Sequence, residues 1–359
     1  MAFRLSTNLT RITLLVGLGM ALGASACEPM FRPKTFTDYV FNEDGERETV
    51  KNAAGEAKLD SHGRPIYKTQ EVSEVKFAEG TLTVSAEKLN KGKEIYRAHC
   101  MQCHGIHGEG DGWSSVGLIP PPRNFAASFI VFKFAHVQAN MVPNDEDLKR
   151  TLRNGLHGTA MLPWGLNEER LDEVLQYIKT FSKRWRDEKP SEAIALAPDP
   201  FGPAKAAEAI EKGKVLFHTK FECAQCHPAY VSQDEINQFL KTEGKPPKTP
   251  RPDAHWSVAK TSDAYKANIT PPDFTWHDLR SVHKPKDTSP AEMSKRLESL
   301  YFAIAMGIGG TAMPTWKNAQ IPERDGEIWA VAYYVSSLID LRGDEAKRAA
   351  FWSKLRGQN

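Results

Sequence analysis

Two five-residue runs could carry chemistry in this chain. Cys100-Met101-Gln102-Cys103-His104 and Cys223-Ala224-Gln225-Cys226-His227 each hold two thiols three positions apart, with an imidazole directly after the second. Such thiols can add across the two vinyl groups of a haem, and the adjoining histidine can coordinate its iron from one side. Paired C-x-x-C runs also build tetrahedral zinc knuckles and thioredoxin-like redox pairs. Zinc does not require a histidine after each second cysteine, and no βαβ pattern surrounds either run. Four of the five cysteines lie in these runs, so the sequence points to two covalently bound haem c groups, one per motif.

The elements that must position these motifs occur twice. Residues 87–185 and 204–342 share four landmarks in the same order, an internal duplication too long in period for a solenoid. First comes an entry helix, in which Gly92-Lys93-Glu94-Ile95-Tyr96 matches Gly213-Lys214-Val215-Leu216-Phe217. The glycine and the aromatic residue, four apart, share one helix face, and the glycine permits another helix to cross closely. The haem motif follows, and then a methionine loop. Gly155-Leu156-His157-Gly158-Thr159-Ala160-Met161-Leu162-Pro163-Trp164 stands beside Gly307-Ile308-Gly309-Gly310-Thr311-Ala312-Met313-Pro314-Thr315-Trp316, identical at six of ten positions. A thioether is a soft ligand suited to the iron face opposite histidine, and glycine lets the backbone approach a ring. Last comes a helix of period 3.6, Arg170 to Phe181 and Gly326 to Leu338. Its Tyr177 and Tyr334 are expected to pack against Gly92 and Gly213.

With these motifs in place, each half resembles a class I c-type cytochrome domain, and the whole is similar to dihaem cytochromes c. The resemblance covers about two-thirds of the chain. It implies an all-α fold of two cytochrome c-like domains, each a few helices around a covalently bound haem, with His104 and Met161 as axial ligands in the first and His227 and Met313 in the second. It also implies that a proline carbonyl in the loop after each motif accepts the proximal histidine's free N–H, without distinguishing among Pro120, Pro121 and Pro122, or between Pro271 and Pro272. The halves differ in that loop: His107-Gly108-Glu109-Gly110-Asp111-Gly112 has no counterpart in the second, which carries a polar insert from Ala229 to about Tyr265. His136, His157, His255, His277 and His283 are rival ligands that the repeat does not need.

Outside the repeat, Arg4 and Arg11, an apolar run from Ile12 to Leu22 and Gly23-Ala24-Ser25-Ala26-Cys27 form the three parts of a secretory signal over 1–26. Small residues ending in cysteine resemble a bacterial lipobox, and Cys27, the one cysteine outside the haem motifs, is expected to carry a lipid. Residues 27–86 read as an extended arm or tether, on the order of 40 Å end to end if flexible, although hairpins on a partner or on the domain itself fit the same residues. A proline-punctuated linker covers 186–203, and residues 343–359 form a short amphipathic helical tail.

A net charge of +2 over 359 residues argues against a nucleic-acid binder. A haem with both axial positions filled has no vacant site for substrate, which leaves one-electron transfer. The expectation is therefore a lipid-anchored carrier on the periplasmic side of a bacterial membrane, rather than an enzyme. Its partners would be redox proteins, within or beside a respiratory or photosynthetic complex. The alternatives are a peroxidase-like haem enzyme and the electron-accepting subunit of a periplasmic dehydrogenase.

Overall fold

The structure, a computed structural model, describes residues 33–78, 82–127, 142–191, 195–248, 260–262, 267–309, 311–317, 321 and 323–357. The signal segment, Cys27, His136 and His255 lie outside them. Strand β1 (Phe36–Tyr39) pairs antiparallel with β2 (Thr69–Val72), Phe36 opposite Val72, and β3 (Glu74–Lys76) pairs with β4 (Thr83–Ser85). Helices α1 (Ala86–His99), α2 (Met101–His104), α3 (Asp145–Asn154), α4 (Glu168–Lys179) and α5 (Arg184–Asp187) follow. Then come α6 (Ala206–Thr219), α7 (Gln233–Thr242), a small antiparallel pair β5 (Lys260–Ser262) and β6 (Ala267–Ile269), α8 (Pro290–Met306), α9 (Arg324–Ile339) and α10 (Glu345–Leu355).

Two large apolar cores divide most of these elements, one on α1 and α4 with Phe36, Phe181 and Trp185, the other on α6, α8 and α9 with Phe217, Tyr301 and Trp329, and a small third cluster holds Ile236 and Leu240 of α7. Each large core is built on one helix crossing. Ser85 caps α1, accepting from the N–H of Lys88, and Asn167 caps α4, accepting from that of Arg170. Leu89, Gly92, Ile95 and Tyr96 then form the buried face of α1. A Cβ on Gly92 would stand 2.0 Å from the carbonyl oxygen of Glu173 and 2.9 Å from the Tyr177 Cβ; on Gly213 it would stand 2.0 Å from that of Ala330 and 2.9 Å from the Tyr334 Cβ. The expected glycine–tyrosine partnerships are both present, and only glycine allows the backbones so close.

The extended arm expected over 27–86 is, across its described residues, a folded layer on the first core, so the architecture there is not purely α. Turn chemistry explains the difference. Asn42, Asn52 and Asp60 each accept backbone N–H groups two to four residues ahead, and Gly45, Gly55 and Gly63 follow three residues after each at φ of +76° to +81°. The turns return the chain onto itself through bridges such as Thr49–Tyr67 and Lys51–Ala57. Arg47 then fixes the layer to the helices. Its guanidinium lies 4.7 Å from the Tyr39 ring centre and 4.4 Å from that of Tyr67, and it donates to the His107 carbonyl at 2.9 Å and to Glu109 at 3.0 Å. Arg186 adds a two-pronged bond to buried Asp38 at 2.7 and 2.8 Å.

The linker is held at both ends. Trp185 is buried in the first core, while the carbonyl of Ala197 and the carboxylate of Asp199 receive Trp329 Nε1 and Tyr333 OH from α9. The tail helix α10 lies on the second core, with Trp352 Nε1 donating to Thr275 Oγ1 at 3.1 Å. The two units also meet directly. The His157 N–H donates to the Arg280 carbonyl at 2.9 Å, and the Arg150 guanidinium lies 5.1 Å from the Phe302 ring centre. Among the described residues no helix is long and apolar enough to cross a membrane.

Candidate functional site

The end of α1 delivers the first motif. The helix breaks at Cys100, whose N–H still bonds to the Tyr96 carbonyl, and restarts as the single turn α2. Tyr96, fully buried, donates its hydroxyl to the Gly105 carbonyl at 2.7 Å and so fixes the chain just past His104. Cys100, Cys103 and His104 thereby reach one wall of a cavity of about 550 Å³, within the range of cofactor sites. Met161 stands on the same cavity, as do Phe125, Trp164 and Arg123.

His104 is oriented from behind. Its Nδ1 lies 3.1 Å from the Arg123 carbonyl, and its ring stacks on Phe125 with centroids 4.5 Å apart. A carbonyl can only accept, so Nδ1 carries the proton and Nε2 keeps a free lone pair. Burial holds the imidazole pKa below its ordinary value, against a smaller opposing effect of that carbonyl. The neutral, metal-binding form is the one present near neutral pH. Burial also pushes the Cys100 thiol up to about 12.

The second motif repeats this arrangement element by element. His227 Nδ1 lies 3.0 Å from the Pro272 carbonyl, its ring stacks on Phe274 at 4.6 Å, and burial pushes its pKa down to about 4. The Cys223 thiol is again pushed up to about 12 by burial. Arg123 and Pro272 occupy equivalent places, each two residues before the stacked phenylalanine. The expectation of a proline carbonyl therefore holds in the second unit, while an arginine supplies it in the first. Position relative to the phenylalanine, rather than residue type, was the usable signal.

The methionine loops share one hydrogen-bond pattern. In the first, Leu156 N–H donates to the Met161 carbonyl at 2.8 Å, Thr159 Oγ1 donates to the Leu156 carbonyl at 2.7 Å, and Met161 N–H donates to Thr159 Oγ1 at 3.1 Å. In the second, Ile308, Thr311 and Met313 make the same three bonds at 3.3, 2.7 and 3.1 Å. A Cβ on Gly155 or Gly307, both at positive φ, would come within 2.5 Å of the facing strand of its loop. In the first unit Met161 shares the cavity with the motif; for Met313 the correspondence rests on the loop's bonds.

Of the rival histidines, His283 Nε2 is engaged with Glu292 at 2.7 Å and His277 Nδ1 accepts from the Asp273 N–H at 3.0 Å. His157 contributes its backbone to the contact between the units. His99, which lines the first cavity with its ring 5.0 Å from that of Trp164, was not singled out by the sequence. Its position one residue before the motif, on the last turn of α1, was the signal that could have found it. Among the described residues no three His, Cys, Asp or Glu side chains converge as a metal site, whereas a zinc knuckle needs four ligands together.

Residues 87–178 match the family described as cytochrome c oxidase, cbb3-type, subunit III. A chain of the reducing HAO-like protein complex of Kuenenia stuttgartiensis is similar in structure, with a TM-score of 0.52 and 28% identity over 69% of this chain and 96% of that one. None of the curated proteins matches the chain. The matched segment is a c-type cytochrome domain, which implies covalently bound haem c and a role in electron transfer.

Proposed function

We propose that the protein is a dihaem electron carrier of two cytochrome c domains. The first haem would be attached at Cys100 and Cys103 and ligated by His104 and Met161, the second attached at Cys223 and Cys226 and ligated by His227 and Met313. The observation that carries this reading is the repetition of a whole site: motif, carbonyl-bound histidine, stacked phenylalanine and methionine loop. The structural likeness adds support, since 69% of the chain reaches well beyond residues 87–178.

Haem iron supplies a one-electron couple when bound, and methionine opposite histidine raises its potential. The chain's own residues set the conditions. The carbonyls of Arg123 and Pro272 hold Nδ1 protonated, which aims Nε2 of each histidine and increases its basicity. Phe125 and Phe274 fix each ring against rotation. The methionine loops, braced through Thr159 and Thr311, would present Met161 and Met313 as the second protein ligand of each iron. With histidine and methionine both bound, the iron would have no position left for a substrate, and its chemistry would be one-electron transfer.

The Kuenenia relative belongs to a reducing HAO-like protein complex, which supports redox proteins as partners here. The signal-like first residues ending in Gly23-Ala24-Ser25-Ala26-Cys27 support export and lipid attachment at Cys27, on the periplasmic side of a bacterial membrane. Carbon monoxide tests the closed sites. The reduced wild-type protein should not bind it, and Met313→Ala should bind it at one haem while losing one of two methionine-to-iron bands at the red end of the oxidised spectrum. Stoichiometric binding by the wild type would favour a peroxidase-like enzyme.

A further inference from the structure

One short segment of the second unit connects the two sites. It begins at Pro272, whose carbonyl holds His227, passes Phe274, stacked on the same ring, and reaches Arg280 eight residues on. The Arg280 carbonyl accepts from His157 N–H at 2.9 Å, within the loop that carries Met161. Asp278 packs beside Gly158 of that loop and is itself held by Arg342 at 2.8 Å. Arg280 also lies on the wall of the first cavity, among the described residues the one lining residue drawn from the second unit.

The Arg280 guanidinium is half-buried, and burial pulls its pKa below the ordinary arginine value with no counteracting anion. Among the described residues no carboxylate or carbonyl pairs with it. Withdrawing a guanidinium from water without an acceptor costs free energy that an anion would offset. Asp147, the carboxylate on the same cavity, is already committed to Arg150 at 2.7 Å and Asn144 at 3.0 Å. The cavity walls are otherwise mainly apolar, with Arg123 as a second guanidinium and Gln102, Thr151 and Thr159 among the polar residues. Such a site suits a flat apolar ligand that presents carboxylates at its rim, which is the chemistry of haem with its two propionates.

We infer that Arg280, contributed by the second unit, binds a propionate of the first haem, so that the potential of the first centre depends on the contact between the units. The inference rests on the haem assignment for residues 100–161. A guanidinium is the two-pronged partner a carboxylate prefers, and its positive charge opposes the extra charge of the ferric state. Removing it lowers the potential of the first haem. A unit charge acting across about 12 Å at an effective permittivity near 20 shifts the reduction equilibrium roughly tenfold, about 59 mV for one electron.

The test is a redox titration of the full-length holoprotein as wild type, Arg280→Gln and Arg280→Lys. The first haem's couple is identified as the one Met313→Ala leaves in place. Arg280→Gln should lower that couple by about tenfold in equilibrium constant and leave the second nearly unmoved, while Arg280→Lys, which keeps the charge, should stay within about threefold of wild type. A couple unmoved in Arg280→Gln, or lowered equally by both replacements, overturns the inference. Should Arg280→Gln not fold, the propionate modes in the resonance Raman spectrum of Arg280→Lys decide it: one mode should shift, and unchanged modes overturn the assignment. Haem content separates the two layers. Wild type without haem on the first motif sinks the underlying reading, whereas two haems with an unmoved couple sinks the role of Arg280 alone.

Discussion

Acid should weaken the second unit through His218, five residues before the second motif. This residue is 3% exposed, among Phe217, Phe239 and Tyr334. Its Nδ1 lies 2.7 Å from the Lys214 carbonyl and so carries the proton, while the buried Nε2 has no hydrogen-bond partner among the described residues. A second proton would place a charge where nothing receives it, and burial accordingly pushes the pKa down to about 4. In the unfolded chain the imidazole titrates near 6.5. The unfolded state therefore takes up the proton first. The stability contributed by neutral His218 is fully present above about pH 6.5 and is lost progressively as pH falls to about 4. Linkage between these two values gives a loss of about 2 kcal/mol at pH 5 and about 3 kcal/mol at pH 4. Urea unfolding of the holoprotein at pH 7 and pH 5, wild type beside His218→Gln, measures it. Both proteins keep His104 and His227, so those cancel, and the wild type should lose about 2 kcal/mol more than the variant between the two pH values. An equal loss in both would show that His218 protonates in the folded state without penalty and would refute the argument.

Two further outcomes follow from the packing and the first residues. Gly92→Ala and Gly213→Ala each drive a methyl to 2.0 Å from a backbone oxygen, so overpacking of about 1–3 kcal/mol or more should outweigh the gain of about 1 kcal/mol from helix propensity. Denaturant unfolding should show a net loss at both positions and almost none for Gly343→Ala, which has open space around it; unchanged midpoints at 92 and 213 would contradict the crossing. Mass spectrometry of the amino terminus of membrane-purified protein should find a chain beginning at acylated Cys27, and an unmodified Cys27 on freely released protein would sink the tether.

Much of the candidate site's geometry was legible because its motifs and loops recur at fixed spacing, and duplication let each half check the other. Gly92 and Gly213 found Tyr177 and Tyr334 because a close crossing has a side-chain signature on both helices. What escaped was carried by backbone. The acceptor for His104 is the carbonyl of Arg123, an atom every residue possesses, so residue type could not reveal it. The choice between an extended arm and hairpins on the domain over residues 36–76 was left open for a related reason. The strands there are short and mostly exposed, and the informative signal was the thrice-repeated Asn or Asp with glycine three residues later, not an apolar period. The approach of Arg280 to the first cavity was invisible because it joins residues more than a hundred positions apart without a local pattern.

The central claim is that two separate motifs each hold a haem covalently. Intact mass measurement of the denatured holoprotein, as wild type and with the cysteines of each motif replaced by serine in turn, tests it most directly. Two haem additions are expected on the wild type, one remaining after Cys100→Ser with Cys103→Ser, and one remaining after Cys223→Ser with Cys226→Ser. A wild type carrying a single haem, or none, would contradict it.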